Sequence, residues 1–479
     1  MKRSLCKPFA KLFNIATSGS GRDNSHDRRS RSRRILGWFC FVAATFMAGA
    51  TSSPVGATSA EVTPSAAVRT TPDRAHVEWR RSMAHSTGKG SGCFRADYPE
   101  QEWKKVPCTT APLHPYAPRS GSGPDAVGAG DDYAVQMPGT LPITWAEGQF
   151  AGVTVGSESD GAANSYSLQL NSNYFPNTQC GSNSNCYAWQ QYVYGNNPGN
   201  STGTLYMQYW LVNLSSQSQC PGGFTFFAGA AGQAAGCYMN SAAIEAPLQA
   251  ITNLGELALG GYATSGGDDE AQLYDNGSIY STSGPDSVLS LGVGDTWTSA
   301  EFNVVGLNDG SEATFSSGTL LTVNTLVSNG QASTTPVPNC LSNAGTTAET
   351  NNLSLSSVCC PYPASNYGSA YPYIYFQEAY GFTLPTSCPL PVPNVTVSGG
   401  TYTAANVWQF SFSWPSVSGA TYYNMSVNGA AQSITGNTSS VGIGCGHTDV
   451  VTFSSCNASG CGLTEEVLDA HNTKSCGTN

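Results

Sequence analysis

A single carboxylate stands in the stretch TTAETNNLSL, Thr346 to Leu355. At the two-residue period of a strand, Glu349 shares a face with Asn351, Leu353 and Leu355, while Thr350, Asn352 and Ser354 point the other way. The acid therefore faces inward or into a cleft, where a carboxylate without a cation is costly. The sequence supplies no cation nearby. Between Arg119 and Lys474 there is no Lys or Arg, against 23 Asp and Glu from Ser120 to Thr473, and residues 115 to 446 contain no His. This excludes Ser-His-Asp and Cys-His mechanisms, Schiff-base and Walker lysines, arginine fingers and most zinc chemistry from that body. Carboxylates, amides, hydroxyls and phenols remain to do chemistry, and neither metal nor cofactor is expected.

Two other stretches offer partners for the acid. In NSYSLQLNSN, Tyr166, Leu168 and Leu170 take one face and Ser167, Gln169, Asn171 and Asn173 the other, so an apolar core face opposes a polar row centred on Gln169. In TLYMQYWLV, Leu205, Met207, Tyr209 and Leu211 alternate with Tyr206, Gln208 and Trp210. The latter row suits a stacked sugar or an extended peptide, and Trp189 and Tyr192 of CYAWQQYVY add aromatic platforms.

LQLN (Leu168 to Asn171), AWQQYVY (Ala188 to Tyr194) and TAETNNLSL (Thr347 to Leu355) resemble the glutamic peptidases of the eqolisin type, and QYWLVN followed by CPGGF is similar to the neprosin-type relatives. The resemblance implies a secreted, acid-acting β-sandwich made with a basic propeptide. It implies that Gln169 is the oxyanion-stabilising amide and Glu349 the base that activates water. The sequence departs from the family pattern at Asn171, where a glycine is usual, and at Gln191, where an acid is usual. Glu378 in YFQEAY is an alternative acid.

Two other functions compete with an endopeptidase acting on extended polypeptides. A non-catalytic glycan-binding or adhesion protein would use Trp189, Tyr192, Tyr206 and Trp210 as stacking platforms. A glycoside hydrolase would need a facing carboxylate pair among Glu245, Glu349 and Glu378. The peptidase needs Glu349 opposite Gln169, the hydrolase two facing acids, and the lectin neither.

The elements that must position these residues read as all-β. From 132 to 388, short alternating runs are broken by Gly, Asn, Ser and Pro, the pattern of a β-sandwich of jelly-roll, legume-lectin-like form. Strands are expected in SYSLQLNSNYF, CYAWQQYVY, TLYMQYWLVN, GELALGGYA, SAEFNVVGL, GTLLTVNTLV, ETNNLSLSS and YPYIYFQEA. PLPVP, Pro389 to Pro393, opens a module over 389–479 whose FSFSWPSVSGATYYNMSVNG resembles a fibronectin type III or immunoglobulin-like strand pair.

The front of the chain differs sharply from this body. Ten Lys or Arg lie in the first fifty residues and nine from Thr51 to Arg119. Ile35 to Ala50 reads as the apolar core of an export signal over 1–50, preceded by Ser32-Arg33-Arg34-Ile35-Leu36, which resembles a twin-arginine motif. Residues 51–131 read as a basic propeptide-like segment and linker that could dock on the anionic body. Of sixteen cysteines, fourteen follow the signal, an even number that implies disulfides in an exported chain. Spacing suggests Cys93 with Cys108, Cys180 with Cys186 and Cys220 with Cys237, with Cys340, Cys359, Cys360 and Cys388 as a second group and Cys445, Cys456, Cys461 and Cys476 in the last module. Without cations the body has no means to bind nucleic acid or anionic membrane. A secreted monomer is expected, with a polypeptide or glycan substrate. Its low positive charge favours tolerance of acid, because protonated carboxyls leave few like charges to repel.

Overall fold

The computed structural model describes residues 74–474, apart from 85, 87–89, 122–125, 140, 332–335, 366–368 and 404–406. The expected export signal lies outside the described residues. All described residues belong to one unit, Ser65–Asn479.

Alternation decides most of the elements. Seven of the eight stretches expected as strands form them: Tyr166–Ser172, Tyr187–Asn196, Gly203–Val212, Leu257–Tyr262, Ser299–Gly306, Thr319–Ser328 and Tyr373–Tyr380. The eighth, ETNNLSLSS, breaks into Thr350–Asn351 and Ser354–Leu355. Its in-and-out pattern survives, with Glu349, Asn351 and Leu353 buried and Ser354 exposed. Asparagine side chains break the strand: Asn351 Oδ1 accepts from the Leu353 amide at 2.9 Å and Asn352 Oδ1 from the Phe315 amide at 2.8 Å, replacing ladder bonds.

Two ten-stranded sheets carry the body. The first runs Lys104–Val106, Cys93–Asp97, Ser278–Pro285, Asp268–Asp275, Leu257–Tyr262, Trp145–Thr154, Thr319–Ser328, Tyr373–Tyr380 and Ser354–Leu355, with Cys360–Tyr362 also on Tyr373–Tyr380. The second runs Thr225–Phe227, Gly236–Asn240, Gly203–Val212, Tyr187–Asn196, Tyr166–Ser172, Ser299–Gly306, Ala134–Gln136 and Asn339–Leu341, with Ala242–Ala246 joining Gly203–Val212 to Thr109–Thr110. Neighbouring strands in both sheets are antiparallel. The sheets share one apolar core, in which Leu168, Leu170, Phe302 and Val304 of the second meet Phe150, Leu259, Leu273 and Val323 of the first. At Gly148 the approach is so close that an added Cβ would lie 1.8 Å from the Phe302 ring, so only glycine fits.

The front segment is built into this body. The helix Arg74–Ala84 lies on the outer face of the first sheet, where Trp79, Met83 and Ala84 pack with Ala258, Tyr274 and Ile279. Arg80 pairs with buried Glu147 and stacks 4.1 Å from the Tyr274 ring centre. Cys93–Asp97 then adds a strand to Ser278–Pro285. The helix, Trp145–Thr154, Asp268–Asp275 and Ser278–Pro285 are absent from the expected strands. For the strands the signal is weak because Gly dilutes the alternation in Trp145–Thr154, Ser dilutes it in Ser278–Pro285 and three acids open Asp268–Asp275, and pairing in the sheet supplies the rest.

Disulfides join Cys93 to Cys108, Cys180 to Cys186, Cys220 to Cys237, Cys340 to Cys359, Cys360 to Cys388 and Cys456 to Cys461. The first three match the spacing argument, and six such bonds fit an oxidising compartment. Cys476 lies outside the described residues. Among the described residues, no helix is long and apolar enough to cross a membrane. The last ninety or so residues have their own core, centred on Phe412, Trp414, Met425 and Phe453, between a three-stranded and a four-stranded sheet.

Candidate active site

Gln169 and Glu349 meet. Gln169 sits mid-strand, between Val193 on one neighbour and Asn303 on the other. Its Nε2 donates to Glu349 Oε2 at 3.3 Å and to Ser167 Oγ at 3.2 Å, while its Oε1 accepts from Gln191 Nε2 at 3.2 Å. Gln191 thereby turns the amide so that its N–H groups face the acid. Glu349 lies in the turn just before Thr350–Asn351 and accepts from Thr347 Oγ1 and, at 3.0 Å, from the Gly310 amide. Gly128 holds that turn from behind: its φ is +92°, and an added Cβ would lie 2.2 Å from the Glu349 carbonyl oxygen.

Both side chains are buried, Gln169 at 1% and Glu349 at 0% exposure. Among the described residues no Lys or Arg hydrogen-bonds or ion-pairs with Glu349. Burial pushes its carboxyl up to about 7, outweighing the donors from Thr347, Gly310 and Gln169. A carboxylate that holds a proton to neutrality beside an oriented amide has the parts of a general acid–base pair.

A second group of acids lies nearby. Asn303 Nδ2 donates to Asp132 Oδ2 at 2.9 Å and to Glu378 Oε2 at 3.5 Å, and Asn351 Nδ2 reaches the same Glu378 oxygen at 3.3 Å. Glu301 accepts from Asn171 Nδ2 at 3.3 Å and from the Thr346 amide at 2.8 Å. Burial raises all three, Glu301 to about 7 and Glu378 to about 8, with Asp132 pushed up further by its two acidic neighbours. Amides stand where cations would in an ordinary buried ion pair. Of the acids considered for a hydrolase pair, Glu349 and Glu378 are buried and Glu245 is exposed on Ala242–Ala246.

The polar face of the second sheet is covered. Residues 112–120 form a strap across it. Gln208 Oε1 accepts from the Tyr116 amide at 2.8 Å and Gln208 Nε2 donates to the His114 carbonyl at 2.9 Å. One rim of the cleft then takes Ala117 O through the Ala348 amide at 3.0 Å and the Arg119 amide through Thr346 O at 2.9 Å. The other rim takes Pro118 O through the Ala234 amide at 2.7 Å and the Ser120 amide through Gly232 O at 2.9 Å. Trp189, Trp210 and Tyr206 all lie beneath the strap and are buried. Tyr192 does not join them. It points into the inter-sheet core, stacked on Trp297 at 5.8 Å, with its hydroxyl donating to the Tyr262 carbonyl. Residues 189 and 192 are three apart, so period two places them on opposite faces.

Sequence reading placed Ser167 on the Gln169 face and noted Gln191 as a departure from the family pattern without giving either a role, and it missed Thr347, Gly310 and Tyr116. Gln191 and Thr347 carried a signal, lying two residues from Trp189 and Glu349 on the same faces. Gly310 and Tyr116 carried none, because only long-range packing brings them in. No family model matches the chain, and no curated protein matches it.

Proposed function

We propose that the protein is a secreted, acid-acting glutamic-type endopeptidase, held with its cleft filled by its own strap. The observation that carries this reading is the buried, cation-free pairing of Glu349 with an amide oriented by Gln191. With the strap displaced and water admitted, Glu349 takes a proton from a water that attacks a peptide carbonyl. Gln169 Nε2 donates to the oxygen on which negative charge develops, and Glu349 returns the proton to the departing amine. With the strap in place, a carboxyl raised to about 7 keeps its proton throughout the acid range and is a poor base there. Covering the site therefore silences it electrostatically as well as sterically.

The body is read as a jelly-roll sandwich. The final module is read as fibronectin type III-like, a spacer or adhesion unit, supported by its strand order Thr396–Tyr402, Trp408–Ser413, Thr438–Ile443 in one sheet and Ala430–Ile434, Tyr422–Val427, Thr448–Asn457, Gly460–His471 in the other. The test is proteolysis of a denatured protein across acid to neutral pH by the purified protein with its strap ejected by Tyr116→Gly and Ala117→Arg, and by the same form carrying Glu349→Gln. Activity in acid that the variant loses by about a hundredfold or more supports the reading. Equal activity in both removes Glu349 from the chemistry.

A further inference from the structure

The strap shows how the cleft holds a peptide. We infer that the groove binds extended polypeptides by gripping the backbone through Gln208 and by selecting an aromatic side chain followed by a small one. This rests on the peptidase reading for its consequence, while the groove itself is argued from the strap's seat.

Gln208 is built for the task. Its 0% exposed amide is fixed by Trp210 Nε1, which donates to Oε1 at 2.8 Å, and by Asn240 Oδ1, which accepts from Nε2 at 2.8 Å. The same two atoms bond the strap on either side of Pro115, so the clamp reads main chain rather than sequence. Beyond it the two rims bond alternate groups of residues 117–120, as neighbouring strands would.

Side-chain selection comes from the two positions after the clamp. Tyr116 is 2% exposed and packs among Val193, Tyr206 and Ala243. Its phenol ends over Gly195, where an added Cβ would lie 3.5 Å from the hydroxyl oxygen. The pocket is thus as deep as a tyrosine ring, and Ser167 and Tyr206 supply polar neighbours at its end. Ala117 is fully buried against Trp189, Trp210 and Ala234, which leaves no room for a larger side chain.

The test uses the full chain with Glu349→Gln to prevent turnover, and with Tyr116→Gly and Ala117→Arg to eject the strap. It is titrated in acid with a labelled peptide of residues 111–119, APLHPYAPR, and with the same peptide carrying Tyr116→Gly. The opened chain is expected to bind the tyrosine peptide at least about tenfold more tightly, the worth of one well-packed aromatic anchor. Adding Gln208→Leu is expected to weaken both peptides, and the chain with its native strap to bind neither. Equal affinity for the two peptides, or no binding by an opened chain that retains its thermal transition, overturns the inference.

If the opened chain does not fold, amide exchange of Gln208→Leu with the native strap replaces it. Exchange at Tyr116 is expected to quicken about tenfold, and unchanged exchange overturns the clamp. Selective binding with no turnover by the Glu349 form leaves the groove standing and removes the peptidase. Turnover in acid with no enrichment of aromatic residues at the cut sites removes the selectivity and leaves the peptidase.

Discussion

The front segment meets the body at two places that differ in chemistry. On the first sheet the helix docks through charge: Arg80 pairs with Glu147 and covers Tyr274, and Trp79 packs beside them. Over the second sheet the strap docks mainly through backbone hydrogen bonds and two small apolar pockets. The comparison teaches how a body without cations manages its acids. Glu147 borrows a cation from the front segment, and Arg119 of the strap pulls on Glu301 from a distance, but burial outweighs both and leaves these carboxyls raised. Glu349, Glu378 and Asp132 are met by amides and hydroxyls instead of cations, and burial raises them as well.

The largest expected effect separates the two docks by function. On the proposed peptidase reading, Gln169→Ala in the strap-ejected chain is expected to lower kcat by about 10²–10³-fold, the cost of losing an oxyanion donor. Arg80→Met, far from the cleft, is expected to leave that opened activity unchanged. Steady-state kinetics on a peptide substrate decides, and similar losses from both would erase the distinction.

The next effect concerns pH. Glu349, Glu301 and Asp269 are raised to about 7, and Glu158 and Glu378 to about 8. Folded values above the ordinary carboxylate value of about 4.3 mean stability that is complete below that value and is lost as pH rises through 7 to 8. The melting temperature is therefore expected to hold below about pH 4, to fall by about 5 °C or more between about pH 5 and pH 8, and to level off above that. A melting temperature that rises over that interval would sink the argument.

A smaller effect tests the charged dock. Arg80→Met strips Glu147 of its cation, but the Arg80 side chain is 28% exposed, so water and salt offset part of the loss. The expected cost is about 1–3 kcal/mol, read by denaturant unfolding, and it should shrink as salt weakens the pair in the parent. The smallest effect tests the strap. Burial lowers His114, against the opposing pull of Asp309 and Asp160. A histidine whose folded value is depressed contributes stability that is lost as pH falls, so its protonation helps the strap leave in acid. His114→Gln is expected to slow amide exchange at Tyr116 relative to the parent in acid and to change it little at neutral pH. An equal effect at both would remove His114 from the opening step.

Much of the site was legible before the fold. Leu168 and Leu170 go into the core and Gln169 and Asn171 to the polar face because side chains alternate along a strand, and Glu349 faces inward for the same reason although its own strand breaks. The misplacement of Tyr192 came from grouping aromatic residues by kind rather than by period. Docking of the front segment on the body was legible from its opposite charge, but which residues cover the site was not. Tyr116 and Ala117 belong to a proline-rich stretch with no alternation to place them, and their partners at Gln208, Ala234 and Ala348 are distant in sequence.

By itself the sequence determined which side chains share a face, that the body's acids must do without cations, and that cysteines near in sequence would pair. These follow from a two-residue period, from composition and from short loop closure. Only the tertiary structure decided that Gln169 meets Glu349 across 180 residues and that the front segment fills the cleft between them and solvent. Such contacts depend on strand register and on loops packed to within a single Cβ, as at Gly128, and no local pattern encodes either.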